Sequence, residues 1–541
     1  MREAHVAAGV RAAEQELMAV LPAGALMQRA AAGLSAVCMG LLGQVYGSRV
    51  VILAGSGDNG GDALFAGARL ARRGARVTAI AAGSRLHEAG AAALTSAGGI
   101  VVPASAGDPA GHDDIGTAGG PGGVGRGGGG QGAADGQGRT GPDDVGPAAR
   151  AALSSADLIV DGLTGIGGSG GLRAPAATLA GLAEEARTDG AVVVAVDLPS
   201  GVNADTGEVE GETVQADVTV TFGTWKPGLL IDPGASKAGA AQLVDIGLAP
   251  HLPAPAAVAL QAADVAEVLP RPSAESDKYR RGVLGVVAGS DQYTGAAVLA
   301  VGAAIHGGAG MVRLAAATGV LQVVRQHWPE AVLTDTDAYS GAGSAAAAIE
   351  AAGRVQAWVA GPGMGTGEAS AGLLAAILAT TLPVLVDADG ITILAAHPEL
   401  LHRDAPTLIT PHAGELARLL KADRADIEAR RLHFATTAAA QLGVTVLLKG
   451  STTVIARPDG GEPVFVNPTG TSWLATAGSG DVLSGLTGAL LAQGADTAHA
   501  AAAGAYLHGL AGRLASEGAP ISATDLISAL PAAIRSVTEP T

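Results

Sequence analysis

The run Ala475-Thr476-Ala477-Gly478-Ser479-Gly480-Asp481-Val482-Leu483-Ser484-Gly485 leads small residues into an apolar helical pattern that begins at about Asp481. The N–H groups from Gly478 to Asp481 would point at one spot and carry the positive end of the helix dipole. Such a spot stabilises charge on a transferring phosphoryl group. A carboxylate beside it can take the proton of an acceptor hydroxyl. Anion hole and base are the minimum equipment for phosphorylating an alcohol. The plain alternative is a glycine-eased helix start capped by Asp481, so this run alone only suggests a kinase. Lys449-Gly450-Ser451-Thr452-Thr453 follows a strand and suits a phosphate or ribose contact. Gly361-Pro362-Gly363-Met364-Gly365 and Asp387-Ala388-Asp389-Gly390 also follow strands, and Thr410-Pro411-His412-Ala413-Gly414-Glu415 sits at a strand-to-helix junction. Neither half contains a Walker A motif, which argues against a P-loop enzyme.

A second set of polar loops lies in the first half. They are Gly55-Ser56-Gly57-Asp58-Asn59-Gly60-Gly61-Asp62, Asp161-Gly162-Leu163-Thr164-Gly165-Ile166-Gly167-Gly168-Ser169-Gly170-Gly171, and Asp197-Leu198-Pro199-Ser200-Gly201. The first holds a formal G-x-G-x-x-G, a weak signal by itself. A hydride-transferring dinucleotide fold would want an acid at the end of the next strand. That strand ends in Ile80, Ala81 and Ala82, so such a fold is disfavoured. Glycines that merely ease a turn explain Gly57 and Gly60, but not Asp58, Asn59 and Asp62 at the same mouth.

These loops need a scaffold. Short apolar strands at Val50–Ala54, Arg76–Ala82, Asp157–Asp161, Ala191–Asp197 and Asp217–Gly223, with a helix at Asp62–Arg73, predict a parallel, doubly wound sheet. Ligands of such sheets sit beyond the carboxyl ends of the strands, where the three loops would converge. A second series has strands near Val283–Ala288, Met311–Ala315, Ala357–Ala360, Val384–Asp387, Thr407–Thr410 and Val444–Leu448. The fold class is therefore α/β, with two domains at 1–247 and 262–541 joined by a linker at 248–261. The stretch 105–150, rich in glycine and poor in large apolar residues, reads as a disordered insertion.

Composition narrows the partners. The chain has 541 residues and a net charge of −17, which disfavours nucleic-acid and anionic-membrane surfaces but not a small anion held by backbone N–H groups. The single cysteine, Cys38, rules out an internal disulfide. Gly, His or charge interrupts each apolar run, so no membrane span and no leader is expected, and the location expected is cytoplasmic.

Residues 1–247 resemble the NAD(P)H-hydrate epimerase family. The resemblance is carried by Leu26-Met27-Gln28-Arg29-Ala30-Ala31, the three loops, and Thr221-Phe222-Gly223-Thr224-Trp225-Lys226-Pro227-Gly228. It implies a Rossmann-like three-layer domain with K+ held by Asn59, Asp161 and Ser200. It implies contacts to the hydrate from Asp58, Asn59, Gly60, Gly61, Asp62, Gly165, Ile166, Gly167, Gly168, Ser169, Gly170, Gly171 and Asp197. Asp197 is the candidate for proton transfer at the hydrated carbon. Two departures stand out: Asp58 replaces the usual Asn, adding charge beside the cation, and Gln28 replaces Glu. Lys226 reads as a surface or packing residue.

Residues 262–534 resemble the NAD(P)H-hydrate dehydratases of the ribokinase-like superfamily. Matching pieces besides the loops above are Gly289-Ser290, Tyr293-Thr294-Gly295-Ala296-Ala297, Gly308-Ala309-Gly310, Pro329-Glu330 and His508-Gly509-Leu510-Ala511-Gly512. The resemblance implies nucleotide contacts from Lys449, Gly450, Ser451, Thr452, Thr453, Thr471, Ser472, Trp473, Leu474, Ala475, Thr476, Ala477, Gly478, Ser479 and Gly480. It implies hydrate contacts from Ala296, Gly363, His412, Ala413, Gly414, Glu415, Leu416, Ala417, Arg418 and Asp481. ADP would be the co-substrate, Mg2+ would bridge its phosphates, and Asp481 would be the base. The S hydrate would be phosphorylated and would then eliminate phosphate, while the epimerase supplies it from the R form. A homo-oligomer is expected. Two rivals stay open: an ATP-dependent vitamin or sugar kinase, and a first domain that only binds or assembles. His87, His306 and His327 read as structural.

Overall fold

The structure is a computed structural model that describes residues 1–105, 145–168, 170–270, 277–341, 343–460 and 463–539. Most of the expected insertion, 106–144, lies outside the described residues. Its expected end was too late, however. Val145 is buried and a helix already runs over Pro147–Ser154, started by proline at its first turn and anchored by Ala149 and Leu153.

Apolar β-branched runs make the first sheet. Seven strands, all parallel, lie in the order Ile100–Pro103, Arg76–Ala81, Arg49–Ala54, Leu158–Gly162, Val192–Val196, Val218–Phe222 and Ala240–Val244. The winding direction reverses between Arg49–Ala54 and Leu158–Gly162, which opens a crevice at their carboxyl ends. Apolar clusters cover both faces, one built on Ile52, Leu64 and Leu34, the other on Leu53, Ile159 and Leu179. The Asp58–Ala71 helix begins four residues before the sequence suggested, so Asp58 and Asn59 sit in its first turn, where an acidic side chain is favoured.

The second sheet has eleven strands. From Val332–Asp335 it runs through Met311–Ala316, Val283–Val287, Ala357–Ala360, Val384–Val386, Thr407–Ile409 and Thr445–Leu448 in parallel. Thr453–Ala456 and Val464–Asn467 then add antiparallel, followed by Ala257–Ala259 and Arg2–Ala4. The last two strands correct the expected boundaries. The linker expected at 248–261 contains a strand of the second sheet, and residues 2–4 complete that sheet rather than the first. Three-residue strands bury too little to leave a periodic signature, and here pairing across domains decides.

The expectation of no apolar run long enough to span a membrane is also corrected. The Ala25–Leu42 helix has 18 residues with hydropathy 1.4, enough by length and composition. Its Leu26, Ala30, Leu34 and Cys38 face packs into the core of the first domain. Burial pushes the Cys38 thiol up to about 12.

The Ser479–Ala492 helix lies across the second sheet against Thr294–His306. A Cβ at Gly485 would lie 2.0 Å from the carbonyl oxygen of Ala300, so glycine sets the closeness of these helices. Gly485→Ala should lower unfolding free energy by ~1–3 kcal/mol. Denaturant titration reads this as a lower midpoint; an unchanged midpoint would mean the helices can separate without cost.

Candidate functional site

The first crevice is built at the strand ends. Asp161 is fully buried, with no cation against it. Its Oδ1 accepts Ser200 Oγ (2.6 Å) and Leu163 N (3.3 Å), and its Oδ2 accepts Ser200 N (2.8 Å). Burial outweighs these bonds and pushes its pKa up to about 6. Asn59 Nδ2 donates to Thr164 O (3.2 Å) and Val196 O (2.6 Å), while Thr164 N donates to Ser200 Oγ (2.9 Å). Asn59, Asp161 and Ser200 therefore meet around the Thr164 peptide. A Cβ on Gly165 would lie 2.4 Å from Asn59 Oδ1, so glycine keeps that oxygen accessible. A buried unpaired carboxylate among neutral oxygens fits an alkali cation.

Asp197 follows the strand Val192–Val196 and holds φ +66°, rare for a residue with a Cβ. Its Oδ1 accepts Thr221 Oγ1 (3.0 Å), Phe222 N (3.1 Å) and Lys226 Nζ. Lys226 is only 1% exposed, so its reading as a surface residue is wrong. It is swallowed by the site, where Thr221 Oγ1 and Phe222 O take its other protons, both at 3.0 Å. Asp62 is buried nearby with Oδ1 unpartnered. Burial, then the charges of Asp197, Asp58 and Glu14, hold its pKa well above the ordinary carboxylate range. Arg11 reaches over the second loop, its Nη2 3.4 Å from Ile166 O. Cavities of ≈ 390 Å³, touching Thr164, Gly170, Arg173 and Asn203, and ≈ 640 Å³, touching Met27, Gln28, Phe65 and His87, lie in this domain.

The second site gathers five strand ends. Gly478 takes φ +86° before the Ser479–Ala492 helix and offers no side-chain cap. Ser479 N is tied to Thr476 O (3.3 Å), so it is not a free donor as expected. Among the described residues, Gly480 N and Asp481 N have no protein acceptor. The turn is pinned from behind by buried His508, whose Nε2 meets Ser479 O at 2.9 Å. Burial pulls the His508 pKa down to about 4, so the ring stays neutral and donates. Lys449 Nζ bonds Asp387 Oδ1 (2.8 Å) and lies 3.7 Å from Glu415 Oε2. Burial disfavours this ammonium, but the charges of Asp387 and Glu415 prevail and raise its pKa. Ser484 Oγ donates to Asp387 Oδ2 (2.7 Å). Burial first, and the Asp387 charge next, push Asp481 up to about 7. A cavity of ≈ 700 Å³ opens here, lined by Lys449, Ser451, Thr471, Ser479, Gly480 and His508 among others.

A family model described as NAD(P)H-hydrate dehydratase matches residues 284–532, and one described as YjeF-related protein N-terminus matches 23–228. The bifunctional NAD(P)H-hydrate repair enzyme Nnr of Mycobacterium tuberculosis is 44% identical over 508 residues, spanning 93% of this chain and 92% of that protein. This chain belongs to the family of bifunctional NAD(P)H-hydrate repair enzymes. The Mycobacterium leprae member is 44% identical over 507 residues, covering 93% of this chain and 91% of its own. A Bacillus subtilis ADP/ATP-dependent NAD(P)H-hydrate dehydratase, crystallised with ATP and Mg2+, is 28% identical; the alignment covers 51% of this chain and 97% of that one, with TM-score 0.45.

Within this family framework, the residues expected to bind divide by geometry. Ala296 and Gly363 touch, since a Cβ on Gly363 would lie 2.8 Å from that of Ala296. His412 lines the cavity and also caps the Ala413–Leu420 helix, with Nδ1 accepting Gly414 N (3.0 Å) and Glu415 N (3.2 Å). Leu416 and Ala413 instead face the apolar core, because only one face of that helix meets the site. Thr452 is buried and turned to the first domain, its Oγ1 accepting Asp232 N (2.9 Å). Trp473 is more than a third exposed and does not line the cavity. Ser169 lies outside the described residues. The sequence reading missed Lys226, Arg11, Glu14 and His508 as parts of the sites; of these Lys226 and His508 lay in stretches that had drawn notice.

A base with a pKa of about 7 works only when deprotonated. kcat/KM for dehydration should therefore fall about tenfold per pH unit below neutrality. Asp387→Asn removes a charge that raises the Asp481 pKa, so it should move this acid limb to lower pH. A pH–rate profile of both proteins reads the displacement; an unmoved limb would assign the titration to another group.

Proposed function

We propose that the protein repairs hydrated NADH and NADPH, epimerising the R and S hydrates in the first domain and dehydrating the S hydrate with ADP in the second. The observation that carries this reading is the turn at Gly478–Asp481: N–H groups of Gly478, Gly480 and Asp481 without acceptors among the described residues, a carboxylate whose pKa burial pushes up to about 7, and a cavity of ≈ 700 Å³ lined by Gly480 of the same turn.

In the second domain Asp481 takes the proton of the ring hydroxyl. The hydroxyl oxygen then attacks the terminal phosphate of ADP, and AMP leaves. Gly480 N and Asp481 N stabilise the charge on the transferring group. Phosphate next departs from the hydrated ring with its carbon–oxygen bond, a proton leaves the adjacent ring carbon, and the double bond returns. Lys449 is positioned for a nucleotide phosphate while Asp387 and Glu415 keep it charged. Among the described residues no group of three His, Cys, Asp or Glu forms a metal cage. That donor set fits Mg2+ held chiefly by phosphate oxygens, where it would neutralise their charge. In the first domain Asp197 takes and returns the proton of the hydroxyl on the hydrated carbon as the ring carbon–nitrogen bond opens and re-forms, and Asn59, Asp161 and Ser200 would hold K+, which would supply a positive charge to orient the hydrate.

The test uses mixed hydrates, ADP and Mg2+, following the absorbance of reduced nicotinamide. Wild-type protein should recover both epimers. Asp481→Asn should lose about 10²–10⁴-fold in dehydration rate. Asp197→Ala should recover the S form at the normal rate and the R form only as fast as it interconverts spontaneously. No recovery by wild-type protein with ADP or ATP would overturn the proposal, and a phosphorylated product that accumulates would mark a kinase instead.

A further inference from the structure

A carboxylate that moves a proton must keep one oxygen open to substrate. Asp197 is arranged for this. Each of its three hydrogen bonds, from Thr221 Oγ1, Phe222 N and Lys226 Nζ, ends on Oδ1. Among the described residues, Oδ2 receives none. The side chain is buried, so the choice of oxygen is not left to solvent. The backbone supports the same orientation. Asp197 N donates to Val220 O (2.7 Å), holding the residue at its positive φ against the next strand. An outlying φ that the surroundings fix so fully is a mark of a site under functional constraint.

Among the described residues, Lys226 is the one cation in contact with this carboxylate. It lies on the segment after the strand Val218–Phe222. Its three ammonium protons have three acceptors: Asp197 Oδ1, Thr221 Oγ1 and Phe222 O. Nothing is left over to reach a ligand. A lysine that contacted substrate would hold a proton free; this one is spent on aiming another residue.

We propose that Lys226 is a positioning residue of the epimerase step: it blocks Asp197 Oδ1 and so presents Oδ2 to the substrate. This rests on the epimerase reading of the first domain. Lys226 loses no proton in the cycle; Asp197 Oδ2 takes the proton of the hydroxyl on the hydrated carbon as the ring carbon–nitrogen bond opens to an aldehyde, and returns it when that bond re-forms on the other face. A purely structural lysine would stabilise the loop without setting the rate of proton transfer.

The test uses the full chain, whose second domain reports on folding. R hydrate is supplied with ADP and Mg2+, and recovery is compared with that from S hydrate. Lys226→Met and Lys226→Ala should each lower epimerase kcat by about 100-fold with little change in KM, while S-hydrate recovery stays within about twofold. Methylammonium should restore Lys226→Ala by about tenfold, because it can occupy the vacated space and supply the charge; tetramethylammonium, without N–H donors, should not. Wild-type epimerase kcat in Lys226→Met would overturn the proposal. So would a loss in Lys226→Ala that methylammonium leaves unchanged, since that loss would be structural. If wild-type protein converts S hydrate but never accelerates R hydrate, the epimerase reading itself fails, and that outcome is separate from both.

Discussion

A carboxylate taken out of water costs several kcal/mol unless a cation, a set of donors or a proton compensates it. Both sites are organised around this constraint, and each buried acid meets it differently. Asp197 has Lys226. Asp387 has Lys449 and Ser484. Among the described residues Asp161 has only donors and no cation, so burial pushes its pKa up to about 6 and its surroundings suit an alkali ion. Asp62 has neither, and the proton is the compensation left to it. Asp481 stands between the cases, within reach of both Asp387 and Lys449, and its balance near 7 makes it usable as a base. Chemistry here follows from unequal solutions to one electrostatic problem.

The scaffolds supply the positions. Parallel strands end together, and where the winding reverses no helix covers their ends. In the first sheet the reversal lies between Arg49–Ala54 and Leu158–Gly162, and the loops after both carry the polar residues. In the second it lies between Val283–Val287 and Ala357–Ala360, which brings Ala296 and Gly363 together. The helix that presents Asp481 is held close by Gly485, and the turn before it by a neutral histidine. Rigid elements thus carry the acids, while glycine and small residues leave room for ligand.

Much of this was legible because the signals are local. Long apolar strands at Val50–Ala54 and Ala357–Ala360 announce themselves, and a loop such as Gly55–Asp62 combines turn glycines with acids that turns do not need. What escaped was non-local. Nothing in Trp225-Lys226-Pro227 tells that the lysine will be buried, because its partner Asp197 lies on another strand. His508 acts through Ser479, which comes earlier in the chain on a separate helix. The strands Thr453–Ala456 and Val464–Asn467 were hidden because the segment around them reads as ligand loop. The substrate contacts expected along 412–418 were too many, since helical periodicity turns Leu416 inward.

The strand Arg2–Ala4 ties the halves together. It pairs with Ala257–Ala259 in the second sheet, while Glu3 O accepts Thr224 Oγ1 and His5 N donates to Trp225 O, beside Lys226. These residues and their pairing partner lie nearly half the chain apart in sequence. The same short strand thus touches both the loop bearing Lys226 and an edge strand of the second sheet. Dividing the chain between the halves would leave Ala257–Ala259 as a bare strand edge. The fusion is therefore more than two enzymes on one string: the opening residues of one are a structural subunit of its neighbour.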